Sequence, residues 1–313
     1  KYSKTFSLLA KIALMLAAFW FVFRGVDRQE LEGMLRSQNR SAFVGASFFF
    51  FTQVLFGSIR WRVTMVALAG VGAKVVSRLN AFKIFYISVF FNCCLPGTVG
   101  GDVVRIWLIK SEHTPLPLAI SSVVIDRMVA LLALGVMGGL TMPFLSIYMG
   151  ISGWVMMPLF LLLAVLGFWI LFNLDSLLLR VPFLRSLHWL EHLLQSIRMI
   201  SRRPKTAFCA LFYAIFSHSS LCLLAYVLAD SLGSPISLLQ TMTLIPWVLL
   251  ISIIPLSIGG WGLREAAMVF FLGLIGVPQT AALTLSVQLG LLSIILSLPA
   301  GILWLVNRRM VVK

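Results

Sequence analysis

Apolar residues run along this chain in blocks too long for the core of a small soluble domain, and short polar or basic stretches divide them. The blocks predict helices that cross a bilayer, since about 20 apolar residues are needed to span its hydrocarbon layer. Read in order, they are Ser7–Phe23, Ala42–Ile59 closed by Arg60 and Arg62, Leu79–Leu95, Leu118–Leu140, Trp154–Phe172, Thr206–Leu228 and Thr280–Val306. The run Val63–Ala73 is too short to span and is expected at the interface. Pro115 and Pro117 suit the first turn of the helix that follows them. Ser7–Phe23 lacks a small-residue cleavage site and is expected to remain as a span rather than act as a signal peptide.

Two apolar runs are interrupted in the same way. Pro96, Gly100, Gly101 and Arg105 recur as Pro255, Gly259, Gly260 and Arg264 at identical spacing. Thr98 matches Ser257, Val99 matches Ile258 and Val104 matches Leu263, so both copies read P-x-[ST]-[VI]-G-G-x-x-[VL]-R. Proline and glycine break a helix. At membrane depth such a break is tolerated only where it is buried in protein or lines a wet cavity. Paired breaks in two halves of a chain point to a transporter's binding site. The breaks, 92–110 and 251–274, are each expected to end in a short helix, Val103–Lys110 and Leu263–Leu274. The fold expected is therefore an all-α polytopic membrane protein, one integral membrane domain over 1–313. It should have about six to eight transmembrane helices plus two re-entrant or broken helices in an inverted repeat.

Composition sharpens this picture. The chain is 60% hydrophobic and only 11% charged, where soluble domains run near a quarter charged. The net charge is +15, from 25 Lys plus Arg against 10 Asp plus Glu. In a membrane protein this excess marks cytoplasmic loops that set topology and meet anionic lipid, so nucleic acid is not an expected partner. The basic segment 175–205 is expected on the cytoplasmic side as an amphipathic helix on the leaflet. The uncharged loop Thr141–Gly153 and the loop Asp230–Pro235 should face outward. On that count the two breaks enter from opposite sides of the membrane. Four arginines of Arg24–Arg40 weigh against it, on a loop placed outside. The four cysteines, Cys93, Cys94, Cys209 and Cys222, show no metal spacing and read as packing residues.

Ionisable residues within apolar runs are functional candidates. Arg105 and Arg264 each follow a glycine pair, near a helix N-terminus whose free N–H groups attract anions, and a guanidinium fork suits phosphate. Asp102 falls where an N-cap would be. Glu265 adjoins Arg264, and adjacent helical residues do not face each other, so its partner is expected elsewhere. Asp126 and Arg127 lie about 12–14 Å into an apolar helix and need partners, with Arg105, Glu265 and Asp102 as candidates. They form either a buried ion network or a proton or substrate switch. His218, among serines, is expected to hydrogen-bond between helices. His188-Trp-Leu-Glu191-His192 matches the inverted zinc-peptidase signature, but its apolar stripe and arginine-rich surroundings favour a surface helix. No metal, cofactor or catalytic constellation is expected.

With Leu-Pro-Gly-Thr-Val-Gly-Gly-Asp-Val-Val-Arg105, Asp126-Arg127 and Pro-Leu-Ser-Ile-Gly-Gly-Trp-Gly-Leu-Arg-Glu265, the chain resembles the flippase-like membrane domain of bacterial lysylphosphatidylglycerol synthases, the multiple peptide resistance factor type. The resemblance implies a bundle with two re-entrant helices in the bacterial cytoplasmic membrane that moves lipids between leaflets. It also implies that Arg105, Asp126, Arg127, Arg264 and Glu265 line a central cavity. The full synthases add a soluble domain that aminoacylates the lipid, an activity not expected of this chain. The expected function is transport of a phosphate-bearing lipid, such as an aminoacyl phospholipid or a polyprenyl-linked lipid. The substrate-binding set is Arg105, Arg264, Asp126, Arg127, Glu265, Asp102, Gly100, Gly101, Gly259 and Gly260. Partners are membrane lipids with anionic or polyprenyl phosphate head groups, and a second copy in a homodimer. The alternatives are a small-anion secondary transporter on the same scaffold and a membrane enzyme acting on a polyprenyl phosphate.

Overall fold

A computed structural model describes residues 40–69, 75–94, 99–110, 114–150, 157–158, 162, 188–233, 236–253 and 262–306. The span predicted at Ser7–Phe23, most of the one at Trp154–Phe172, and the first part of the basic segment lie outside them. So do Pro96, Pro255, Gly259 and Gly260.

Nine α-helices make up the described residues: α1 (Arg40–Ala69), α2 (Arg78–Cys94), α3 (Gly100–Ile109), α4 (Leu116–Met149), α5 (His188–Ser201), α6 (Pro204–Ser231), α7 (Leu238–Ser252), α8 (Leu263–Gly273) and α9 (Gln279–Val306). Four of them, α1, α4, α6 and α9, are long and apolar enough to cross a membrane. At 1.5 Å per residue, the 28 residues of α6 or α9 reach roughly 42 Å. The chain is an all-α, multi-pass membrane protein.

Helix lengths repeat. The series α1, α2, α3, α4 runs 30, 17, 10 and 34 residues, and α6, α7, α8, α9 runs 28, 15, 11 and 28. In each series the second helix packs on the short third helix, and the third packs on the fourth. α1 lies along α6, α2 also packs on α9, and α4 on α7. One apolar core runs through these contacts, with Trp61, Phe90, Phe91, Leu224, Leu228 and Leu244 among its residues.

The helix ends follow local chemistry. Pro115 precedes α4 and Gly150 closes it in a left-handed conformation at φ 67°, its N–H donating to Ser146 O. Ser237 and Gln240 form a reciprocal capping box at the start of α7.

Three boundaries depart from the sequence reading. Arg60 and Arg62 do not close a span: α1 continues through Val63–Ala69, so that run is not a separate interfacial piece. Arg60 is tolerated inside because it is buried against a carboxylate. The stretch placed in the loop Thr141–Gly153 is helical as far as Met149, through Pro143. The first short helix begins at Gly100, not Val103.

Candidate functional site

α3 is built to come close to α2. Gly101 N–H donates to Asn92 Oδ1 at 2.9 Å. A Cβ at Gly101 would stand 1.9 Å from Ser88 O, so only glycine fits. That contact sets how deep α3 sits, and it places Asp102 and Arg105 in the protein interior, 6% and 1% exposed.

There they join a chain of alternating charges. Arg60 donates through Nε to Asp126 Oδ1 at 2.7 Å and through a terminal nitrogen to Oδ2 at 3.2 Å. Arg105 bridges the two aspartates, reaching Asp126 Oδ2 and Asp102 Oδ1, each at 3.0 Å. Arg127 closes the far end on Asp102, at 2.7 and 3.1 Å. The order Arg60, Asp126, Arg105, Asp102, Arg127 ties α1, α3 and α4 together. Three guanidinium groups against two carboxylates leave one positive charge in excess.

Arg105 is also held between two rings. Its guanidinium carbon lies 5.1 Å from the Trp61 ring centroid and 5.2 Å from that of Phe85, within cation–π range. Trp61 Nε1–H donates to Ser122 Oγ at 3.4 Å. The Nε of Arg105 is buried without an acceptor.

The second break carries a smaller cluster. Arg264 meets Glu265 Oε1 at 2.9 Å and Ser286 Oγ of α9 at 3.0 Å, and Ser286 Oγ donates to the same Glu265 oxygen at 2.8 Å. Glu265 Oε2 accepts from Gly262 N–H, at the start of α8. Gly262 adopts φ +87°, a conformation that favours glycine.

The ion chain and, from the second cluster, Arg264 line one cavity of about 310 Å³; Glu265, expected to line it, is not among its lining residues. Arg60, Asp102, Arg105, Asp126 and Arg127 line one part and Arg264 another, with His218 and Ser293 between apolar residues of α7 and α9. His218 Nε2 bonds Ala130 O at 3.2 Å, linking α6 to α4.

Five of the predicted residues thus share a cavity: Asp102, Arg105, Asp126, Arg127 and Arg264. Gly100 and Gly101 open α3, and Gly259 and Gly260 fall outside the described residues. Two expectations are corrected and a third is extended. Asp102 is not an N-cap: it is the third residue of α3, and its carboxylate faces Arg105 and Arg127. Glu265 does meet the adjacent Arg264, because both side chains turn onto Ser286. Asp126 pairs with Arg105, as one candidate had it, but its other partner is Arg60. The helix N-termini are also less open to a ligand than the sequence implies, since the Gly101 and Gly262 amides are already engaged. Arg60 is the residue that sequence reasoning passed over. Its signal was there: the apolar pattern resumes at once after Arg62.

Residues 8–301 match the family described as lysylphosphatidylglycerol synthase TM region. Among curated proteins no match is found.

Proposed function

The chain belongs to the lysylphosphatidylglycerol synthase TM region family, and from that membership we propose that it carries a phosphate-bearing lipid between the leaflets of a bacterial cytoplasmic membrane. The observation that supports this best is the shared cavity: arginines from both breaks line one space, within a bundle whose halves repeat the same four-helix succession. In this reading the breaks are re-entrant and the halves inverted, and rocking of one against the other exposes the cavity to each leaflet in turn. The phosphate exchanges its hydration for Arg264 and for the partly exposed Arg127, while the tails stay among the apolar residues. Aspartates 102 and 126 hold the arginines in place and lower the charge the ligand must answer. The chain acts here as a transporter, not an enzyme.

The test is native mass spectrometry on the purified protein beside Arg264→Gln and Arg127→Gln, two arginines less deeply buried than Arg105. A co-purified phosphate lipid, lost at least in part from both variants, is the expected result. Equal retention in all three would make the arginines structural. Product formed from a polyprenyl phosphate in detergent, where there is no second leaflet, would replace the transporter by an enzyme.

A further inference from the structure

A second cavity, of about 340 Å³, lies away from the charged one. It is an apolar groove between α4, α5 and α6, walled by Met128, Val129 and Leu132, Ile200, and Phe208 and Leu211. Its volume is at the small end of ligand pockets, enough for a length of one hydrocarbon chain and not for a whole lipid. The same two turns of α4 serve both cavities. At about 100° per residue, Ile125, Met128, Val129 and Leu132 share one face, while Asp126, Arg127 and Ala130 share the other. The groove is therefore a separate place, with α4 between it and the ion chain.

Its rim is basic. Ser201 and Pro204 line the groove, and between and after them come Arg202, Arg203 and Lys205, all exposed. Arg203 is fixed: its guanidinium donates to Ala67 O at the end of α1, at 2.9 Å. That contact pins the short turn between α5 and α6. Arg202 and Lys205 flank it and face solvent or head groups. Apolar walls beside two cations on a rigid turn match one chemistry, an acyl chain that ends in an anionic head group.

We propose that this groove binds an anionic phospholipid, one acyl chain lying between α4 and α6 and the head group held by Arg202 and Lys205. The site is distinct from the transport cavity and does not depend on the function assigned there. Bound lipid would fasten the amphipathic α5 to the bundle, where Ile197 and Ile200 already pack against Ile125 and Val129.

Photocrosslinking tests it. The full chain in nanodiscs is exposed to phosphatidylglycerol, or phosphatidylcholine, carrying a diazirine in one acyl chain, and the crosslinks are mapped by peptide mass spectrometry. Phosphatidylglycerol should label the peptides holding residues 125–132 and 200–211. An exposed Lys or Arg is worth about 1 kcal/mol against an anionic surface. Arg202→Glu/Lys205→Glu should therefore reduce that labelling roughly 30-fold or more, with both positions too exposed to disturb the fold. Ala207→Phe, which fills the groove, should abolish it, and Arg127→Gln in the other cavity should leave the labelling of residues 200–211, which line only this groove, unchanged. Equal labelling by phosphatidylcholine, or labelling that survives the charge reversal, would reduce the groove to ordinary bilayer contact and overturn the proposal.

Discussion

Asp126 holds two buried cations at once. It is 1% exposed, and Arg60 and Arg105 both donate to it. A buried ion pair is weak evidence for stability, because desolvation offsets much of the attraction, but removing one partner strands the other. Asp126→Ala is therefore expected to cost about 3–5 kcal/mol, read as a lower midpoint of thermal unfolding in detergent. Arg60→Met with Asp126→Leu should cost less than the two single changes added together. Arg127→Gln should cost less than Asp126→Ala, since that side chain is 38% exposed and its loss leaves Asp102 still paired with Arg105. These residues were largely legible in the sequence, for one reason. A charge inside an apolar helix is expensive, so Asp126, Arg127 and Arg105 stand out against their neighbours. Arg60 did not, because with Arg62 it imitates the basic end of a span. The Glu265–Arg264 contact was hidden by a rule that holds in mid-helix. At the start of α8, Glu265 folds back to the Gly262 amide and both side chains converge on Ser286.

At the scale of elements, the closeness of α3 to α2 rests on one missing Cβ. Gly101→Ala would drive a methyl into Ser88 O and Asn92, and backbone cannot yield as a flexible side chain can. A loss of about 1–3 kcal/mol is expected, with α3 displaced and Arg105 drawn off its aspartates. Gly262 makes a different demand. A Cβ there meets nothing within 4 Å, yet φ +87° strains any residue but glycine, so Gly262→Ala should cost about 1–2 kcal/mol. Unfolding midpoints of the two variants, with Gly233→Ala as a second positive-φ control, separate steric from conformational cost. The breaks themselves were legible because proline and glycine interrupt long apolar runs. Element boundaries were less so. α4 runs past Thr141 through Pro143, since a long helix held by neighbours on several sides tolerates one missing hydrogen bond. α1 runs past Arg60 because a partner waits on α4.

The whole molecule repeats its architecture without repeating its charges. The four-helix series match in order and closely in length, and the sequence showed this only at the two break motifs, where chemistry constrains the residues. Elsewhere a lipid-facing or core position accepts many apolar side chains, so the repeat leaves little trace. The first series carries a buried five-residue ion chain tying three helices. The second carries Arg264, Glu265 and a serine, less buried. This asymmetry assigns different work to the two ends of the cavity. The ion chain is a rigid wall with an excess of one charge. The Arg264 cluster, which includes a carboxylate and a hydroxyl, is less deeply buried than Arg105, and in the proposed transport cycle it is the end that meets the ligand. Arg264→Gln is accordingly expected to leave the unfolding midpoint within about 1 kcal/mol of the parent while removing transport.

The most direct measurement is leaflet exchange in proteoliposomes. The protein is reconstituted with a phospholipid labelled on its head group, and the fraction reached by a membrane-impermeant quencher is followed in time, beside Arg264→Gln and protein-free vesicles. Exchange by the parent, falling to the protein-free rate in a variant that melts normally, is the predicted result. Equal exchange by parent and variant would contradict the account, since a lipid could then cross without the arginine that the second break contributes to the cavity.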